Sequence, residues 1–381
     1  MTRTYRLLLI SFLAAVFTLG PAVLHAQQHI YTNDNIQFNS GNNSTTAYKV
    51  SPAGTVTAIK TYPTGGLGSN GSYFAQIEIA SAQTTTNQCL FVADGYSNDV
   101  AAFTIKMANG ALKKVTGSPF ASGGSGGGRG IGLAVSDTSG QPLLFAGNPL
   151  SNTITAFMIN PNCGLKKQKT FNVAGSPIGM KATPDGKYLL AAYLGQVDSF
   201  RIKNSKGGLV ELGPFSANGA TAGVEISCDS STAYFGDATT QIQVEVYSIN
   251  SAGKLTEINN FTNNNGINSN NVLLSVDGKT LFVSNTMSVP PAVTTLTVGS
   301  GGALTYDSTT SLHGNGQYAL GLATTKAGGK LFVVETNNNE EIGVLKAKGT
   351  TLKEVPGSPF SGTQNGFISF SLTAVPGKTC K

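Results

Sequence analysis

The chain has 381 residues, only 12% of them charged, and 25 basic against 19 acidic side chains leave a formal net charge of +6. That excess is too small and too dispersed for a nucleic-acid binder, which gathers its lysines and arginines on one face. Three histidines, and four cysteines with no Cys-x-x-Cys spacing, point away from a zinc or copper centre, so neither a metal nor a cofactor is expected.

The chain opens with basic residues at Arg3 and Arg6, runs apolar from Leu7 to Leu19, and reaches Leu24-His25-Ala26 before turning polar at Gln27. This order predicts a secretory signal peptide over residues 1–26, and a single exported domain over 27–381, in the periplasm, on the cell surface or secreted. No later stretch approaches the roughly 18 unbroken apolar residues of a membrane helix, so no membrane span is expected in the mature chain. Abundant Gly, with 47 residues, and many short β-branched and aromatic runs between polar turns predict an all-β fold.

From Gln27 onward the chain repeats. Its clearest unit is Gly179-Met-Lys-Ala-Thr-Pro-Asp-Gly-Lys-Tyr-Leu-Leu-Ala-Ala-Tyr193, then Gln196 to Ile202, then Gly208 to Leu212: strand, Asp-Gly turn, apolar strand, turn, strand, Gly turn, strand. The second strand is the easiest marker, as Leu90-Phe91, Leu144-Phe145, Leu189-Leu190, Tyr234-Phe235, Leu281-Phe282 and Leu331-Phe332, spaced 45 to 54 residues apart. That period fits one four-stranded propeller blade per repeat. Six markers are internal, and the two chain ends supply a seventh blade. Phe367 to Lys378 has the form of a first strand and its turn, and the missing strands stand at the other end in His29–Asn35, Thr46–Val50 and Val56–Lys60. The prediction is a seven-bladed β-propeller whose blade one is closed by the C-terminal strand, leaving no free sheet edge. Gly117-Ser-Pro-Phe120 and Gly357-Ser-Pro-Phe360, with the near copy Gly175-Ser-Pro-Ile178, mark crossings from the rim of one blade to the centre of the next.

Lining up the innermost strands places Glu78, Lys181 and Glu225 at equivalent positions in blades two, four and five. Lys181 and Glu225 are then neighbours across a blade boundary. One reading makes Glu225 a general base and Lys181 the group that polarises a carbonyl; the other makes them an ion pair that neutralises two charges costly to bury alone. His313, in the loop before blade seven, is a further ligand-binding candidate, as is Glu78. Asp94, Asn148, Asp237, Asn285 and Glu335 end the second strands and read as turn formers. Cys89, Cys163, Cys228 and Cys380 all fall on the face opposite the channel mouth. Cys89 and Cys380, from adjacent blades, are the expected disulfide.

Thr183-Pro-Asp-Gly-Lys-Tyr-Leu-Leu-Ala191, Ser275-Val-Asp-Gly-Lys-Thr-Leu-Phe-Val283 and the Gly-Ala-Leu-Lys…Gly-Ser-Pro-Phe run resemble the seven-bladed lactonase family, which includes 6-phosphogluconolactonase-like proteins. Ile30-Tyr-Thr-Asn33 is similar to the YVTN-type propellers. The resemblance covers the mature chain, and its motifs are those of blade structure. It implies a metal-independent hydrolase of a sugar-type or related lactone. Family members carry Arg and His near the channel mouth; Gly126-Gly-Gly-Arg129 keeps the Arg, but Gly130 stands where the His belongs. Arg129 is therefore a candidate contact for an anionic or carbonyl group. The departure at Gly130 keeps open a noncatalytic ligand-binding or surface-interaction propeller. A monomer is expected, with a small molecule or a surface protein as partner.

Overall fold

In a computed structural model, the structure describes residues 27–36, 42–69, 77–137, 141–237, 242–262, 268–286, 288, 290–314, 318–336, 339–365 and 371–380. The predicted signal peptide over residues 1–26 lies outside the described residues. Among the described residues no helix is long and apolar enough to cross a membrane.

Seven blades of antiparallel strands stand around a central channel. Blade two takes Ile79–Gln83, Gln88–Asp94, Asp99–Lys106 and Ala111–Lys114 from the channel outward, and blade three takes Gly132–Ser136, Leu143–Asn148, Thr153–Ile159 and Leu165–Asn172. Blade four begins with Gly179–Ala182, and its second and third strands form one continuous stretch, Tyr188–Ile202, bent at Gly195, whose φ of 74° suits a residue without a Cβ. Leu209–Ile226 then serves as the last strand of blade four and the first of blade five, which continues with Thr232–Asp237, Ile242–Ile249 and Leu255–Thr262. Blade six holds Asn268–Leu274, Thr280–Thr286, Ala292–Val298 and Leu304–Ser311, and blade seven Tyr318–Thr324, Lys330–Thr336, Asn339–Lys348 and Thr351–Glu354.

Blade one closes the ring as its sequence predicts. Leu372–Val375 pairs with Gln28–Asn33, setting Ala374 opposite Ile30, and Ser44–Val50 and Val56–Pro63 complete the sheet. Ile30, Tyr48 and Leu372 then pack against Phe332 and Ile342 of blade seven, so the joint between the chain ends is as apolar as the other blade interfaces. Second strands such as Cys89–Ala93 and Leu189–Ala192 are buried on both faces, which is why their markers read as unbroken apolar runs.

The repeated turns have a local cause. In blade four the Thr183 hydroxyl donates to Asp185 and accepts the Tyr188 N–H, while Gly186 takes the left-handed conformation at φ 69°. Ser275 and Asp277 build the same turn in blade six. The Gly-Ser-Pro-Phe segments are seams with a second role. Where the outer strand ends, Ser118 Oγ accepts the Ala102 N–H at 2.8 Å and Ser358 Oγ accepts the Val344 N–H at 2.9 Å, finishing ladders that the departing chain leaves open. Phe120 and Phe360 then pair with the third strand of the same blade.

The expected Cys89–Cys380 bond does not form. Cys89 is bonded to Cys163 and Cys380 to Cys228, with Cα atoms 5.5 and 5.0 Å apart. The first turn of blade two lies against the third-to-fourth-strand turn of blade three, where Thr84, Thr86 and Asn87 all donate to the Pro161 carbonyl. That contact brings Cys163, and not Cys380, to Cys89. Past Val375 the described tail leaves the ring and runs inward. Gly377 bridges to Thr325 of blade seven, and the tail ends on blade five at Cys228.

Candidate functional site

The channel holds a cavity of about 630 Å³ lined by inner strands from every blade and floored by the tail residues Pro376 to Thr379. Strand register defines its levels. Lys181 lies opposite Leu190, Glu225 opposite Tyr234 and Leu273 opposite Phe282, each facing the residue three before the end of the second-strand core. The other blades place Ala80, Ala134, Ala323 and Ala374 at that level. Lys181 and Glu225 are thus the two charged members of a ring otherwise made of four alanines and a leucine.

Register also corrects the position of Glu78. Ala80, not Glu78, faces Phe91, so Glu78 stands two residues farther from the first turn, toward the end where the second strand finishes at Asp94 and about 7 Å from the level of Lys181 and Glu225 along the strand direction. The first strand of blade two runs on to Gln83 opposite Gln88, so counting back from its turn shifts the alignment. Glu78 is buried, with Oε2 accepting from Asn35 Nδ2 at 2.7 Å and Oε1 from Ser69 Oγ at 3.1 Å. Burial without a cation pushes its carboxyl up to about 8, although these hydrogen bonds pull it down in part.

Lys181 and Glu225 do meet. Lys181 Nζ lies 2.9 Å from Glu225 Oε1, and Lys378 approaches from the tail to 3.6 Å from Oε2. The Ile226 N–H donates to Oε1 at 2.8 Å and the Leu274 N–H reaches toward Oε2 at 3.3 Å. Glu225 is 1% exposed. Burial alone raises such a carboxyl, yet the Lys181 and Lys378 ammoniums outweigh it and hold Glu225 below the ordinary carboxylate value. Lys378 is itself 11% exposed, and burial lowers its ammonium despite the attraction of Glu225. The repeat did not point to Lys378, because it ends a Pro-Gly-Lys turn whose counterparts in blades four and six, Lys187 and Lys279, stand exposed on the surface.

Arg129 and His313 lie away from this cluster. Arg129 ends a short 3-10 turn over Gly127–Arg129, held by the Asn98 side chain through the Gly126 N–H, and its Nη1 donates to Ser176 Oγ at 3.1 Å. It therefore ties the connection into blade three to the Gly-Ser-Pro turn that leads into blade four. His313 is exposed, and its Nδ1 is hydrogen-bonded to Glu354 on the outermost strand of blade seven. The polar ends of the second strands, Asp94, Asn148, Asp237, Asn285 and Glu335, are all buried. Asp94 accepts from Asn43 and Thr64 of blade one, so it bridges two blades instead of forming a turn, and Asn285 donates to Thr294 on the next strand of its own blade. Among the described residues no group of three His, Cys, Asp or Glu side chains is placed to hold a metal ion.

Residues 81–222, from blade two into blade five, match the family described as Lactonase, 7-bladed beta-propeller. Solved structures of similar fold include a candidate 6-phosphogluconolactonase from Bacteroides fragilis, 18% identical with a TM-score of 0.72 over 93% of this chain and 99% of that one. A second candidate 6-phosphogluconolactonase, from Bacteroides uniformis, is 14% identical with a TM-score of 0.74 over 92% and 100%. The periplasmic gluconolactonase of Pseudomonas aeruginosa is 16% identical with a TM-score of 0.70 over 90% and 99%. A comparison with curated protein sequences found no significant match. The chain is a seven-bladed propeller that resembles the lactonases.

Proposed function

We propose that this chain is an exported hydrolase that opens a sugar-type lactone bound in its channel. The observation that carries the reading is the Lys181–Glu225 pair, with Lys181 on the wall of a channel cavity whose volume falls within the range of small-molecule sites. The family match over residues 81–222 and the two disulfides, which suit an oxidising compartment, support it. In this mechanism the lactone carbonyl oxygen sits against the Lys181 ammonium, which stabilises the negative charge that forms when water attacks the carbonyl carbon. The acyl–ring oxygen bond then breaks, and the proton released by the attacking water ends on the ring oxygen, giving a hydroxy acid. Glu225, held by two ammoniums, keeps Lys181 in place as a positioning residue. Arg129 remains a candidate contact at the mouth.

A second reading is a noncatalytic ligand-binding or surface-interaction propeller. It is favoured by the engagement of both Glu225 oxygens, which leaves the carboxylate a poor proton acceptor, and by Gly130 in place of a His. Ring opening of a lactone panel by purified protein, measured against the spontaneous rate in buffer, separates the two. The hydrolase reading expects turnover that falls on the order of a hundredfold or more in Lys181→Met, as loss of one oxyanion partner does. Glu225→Gln and Arg129→Ala report the positioning and mouth contributions. Rates equal to buffer across the panel would sink the hydrolase and leave the binding module.

A further inference from the structure

The buried charges of the channel do not balance. Lys181 and Lys378 share the carboxylate of Glu225, and among the described residues the remaining titratable groups on the cavity wall are Lys326 and Asp137, exposed at its rim. Counting all five, the cavity carries one excess positive charge. An uncompensated buried ammonium is costly, and a bound anion removes that cost.

The location of the excess is Lys378. Its ammonium has three hydrogen-bond donors, and the 3.6 Å to Glu225 Oε2 is too long to satisfy one. Among the described residues Nζ is otherwise without a hydrogen-bond partner, although the side chain is nearly nine-tenths buried and lines the cavity together with Gly377 and Thr379. A lysine side chain normally keeps its charged head in water along a flexible stem. Here the backbone on either side is fixed, by the Gly377–Thr325 bridge before it and the Cys380–Cys228 disulfide just after it. The tail therefore holds an unsatisfied cation inside the channel.

We propose that the channel floor is a binding site for a small oxyanion, a carboxylate or a phosphate, with Lys378 as its central donor and the Cys228–Cys380 bond as the tether that delivers it. Lys181, about a third exposed, supplies the second positive edge. The anion sits between the two ammoniums on the cavity side, and Glu225 holds them from behind. This site shares the channel with the proposed hydrolysis but needs no turnover. Binding is read with anions that contain no lactone, so failure of binding and failure of catalysis are separate results.

The test is isothermal titration of the disulfide-bonded protein at pH 7 with gluconate in one arm and inorganic phosphate in the other. The expected result is saturable one-site binding of at least one anion, weakened on the order of tenfold or more in Lys378→Gln, as loss of a charged hydrogen-bond donor does. Cys380→Ser should weaken it similarly by freeing the tail, while loss of the exposed Lys49 in Lys49→Gln should leave it unchanged. Which arm binds identifies the anion class. Near-UV circular dichroism checks folding; should Lys378→Gln not fold, Cys380→Ser decides. Absence of binding in both arms, or binding unchanged in both folded variants, overturns the proposal.

Discussion

Cys380, which follows the inner strand of blade one, is bonded to Cys228 on the first turn of blade five, and this bond carries Lys378 to within 3.6 Å of Glu225. The tail therefore closes the ring covalently across the channel as well as by strand pairing around it. The two closures act on different parts of the molecule. Strand pairing joins blade one to itself, whereas the disulfide joins it to blade five.

The Cys228–Cys380 bond spans 152 residues of sequence. A loop of that size restricts the unfolded chain strongly, and its loss should lower stability by about 2–5 kcal/mol. Guanidinium unfolding under non-reducing conditions should show the same loss in Cys228→Ser, in Cys380→Ser and in the double variant, because all three remove one bond. Double-variant losses equal to the sum of the single ones would show that each cysteine acts separately.

Glu225→Gln leaves Lys181 and Lys378 facing one another without their counter-charge. Removing one member of a buried pair costs about 3–5 kcal/mol, and partial exposure of Lys181 places this case near the lower bound. Adding Lys378→Met should recover part of the loss, because it removes the stranded cation. The Glu225 carboxyl is depressed in the folded state, so its contribution is present above the unfolded value near 4.3 and is lost as pH falls toward the folded value. Urea midpoints for the single and double variants measure the coupling, and strictly additive losses would contradict it.

Glu78 has the opposite sign. Its carboxyl titrates near 4.3 in an unfolded chain and at about 8 when folded, so the folded protein keeps a proton that the unfolded chain has released. Its contribution is complete below about pH 4.3 and declines as pH rises through 8, by at most about 1.4 kcal/mol per pH unit for one proton. Asp198 and Glu335, also raised to about 8, act in the same direction. The urea midpoint should fall between pH 5 and 8. Glu78→Gln, which keeps the shape and removes the titration, should flatten that slope; an unchanged slope would refute the assignment.

Ser118 and Ser358 accept backbone N–H groups at the ends of blades two and seven. Each Ser→Ala change leaves a partly buried donor unsatisfied and should cost about 1–3 kcal/mol, read as a shift in thermal midpoint. The two losses should add, because the sites share no partner.

Much of this architecture is legible in the residues. The Leu-Phe markers recur because a second strand is buried on both faces, and burial selects apolar side chains whatever their neighbours do. Ring closure follows from a lone first strand at one end and three strands lacking a first at the other. Lys181 and Glu225 could be paired because both stand two residues before a Thr or Ser that begins the same kind of turn. Glu78 could not be placed by that count, since its strand runs on to Gln83 before turning.

The sequence by itself determined the fold, because alternation, turn chemistry and repeat length are local properties that each blade writes out in full. It also determined which two inner-strand charges become neighbours. Only the tertiary structure decided the cysteine pairs, the separation of Arg129 and His313 from the channel cluster, and the arrival of Lys378 at Glu225. Those depend on a tail whose turn leaves its blade for the channel and on turns from different blades meeting in space, and neither is encoded in spacing along the chain.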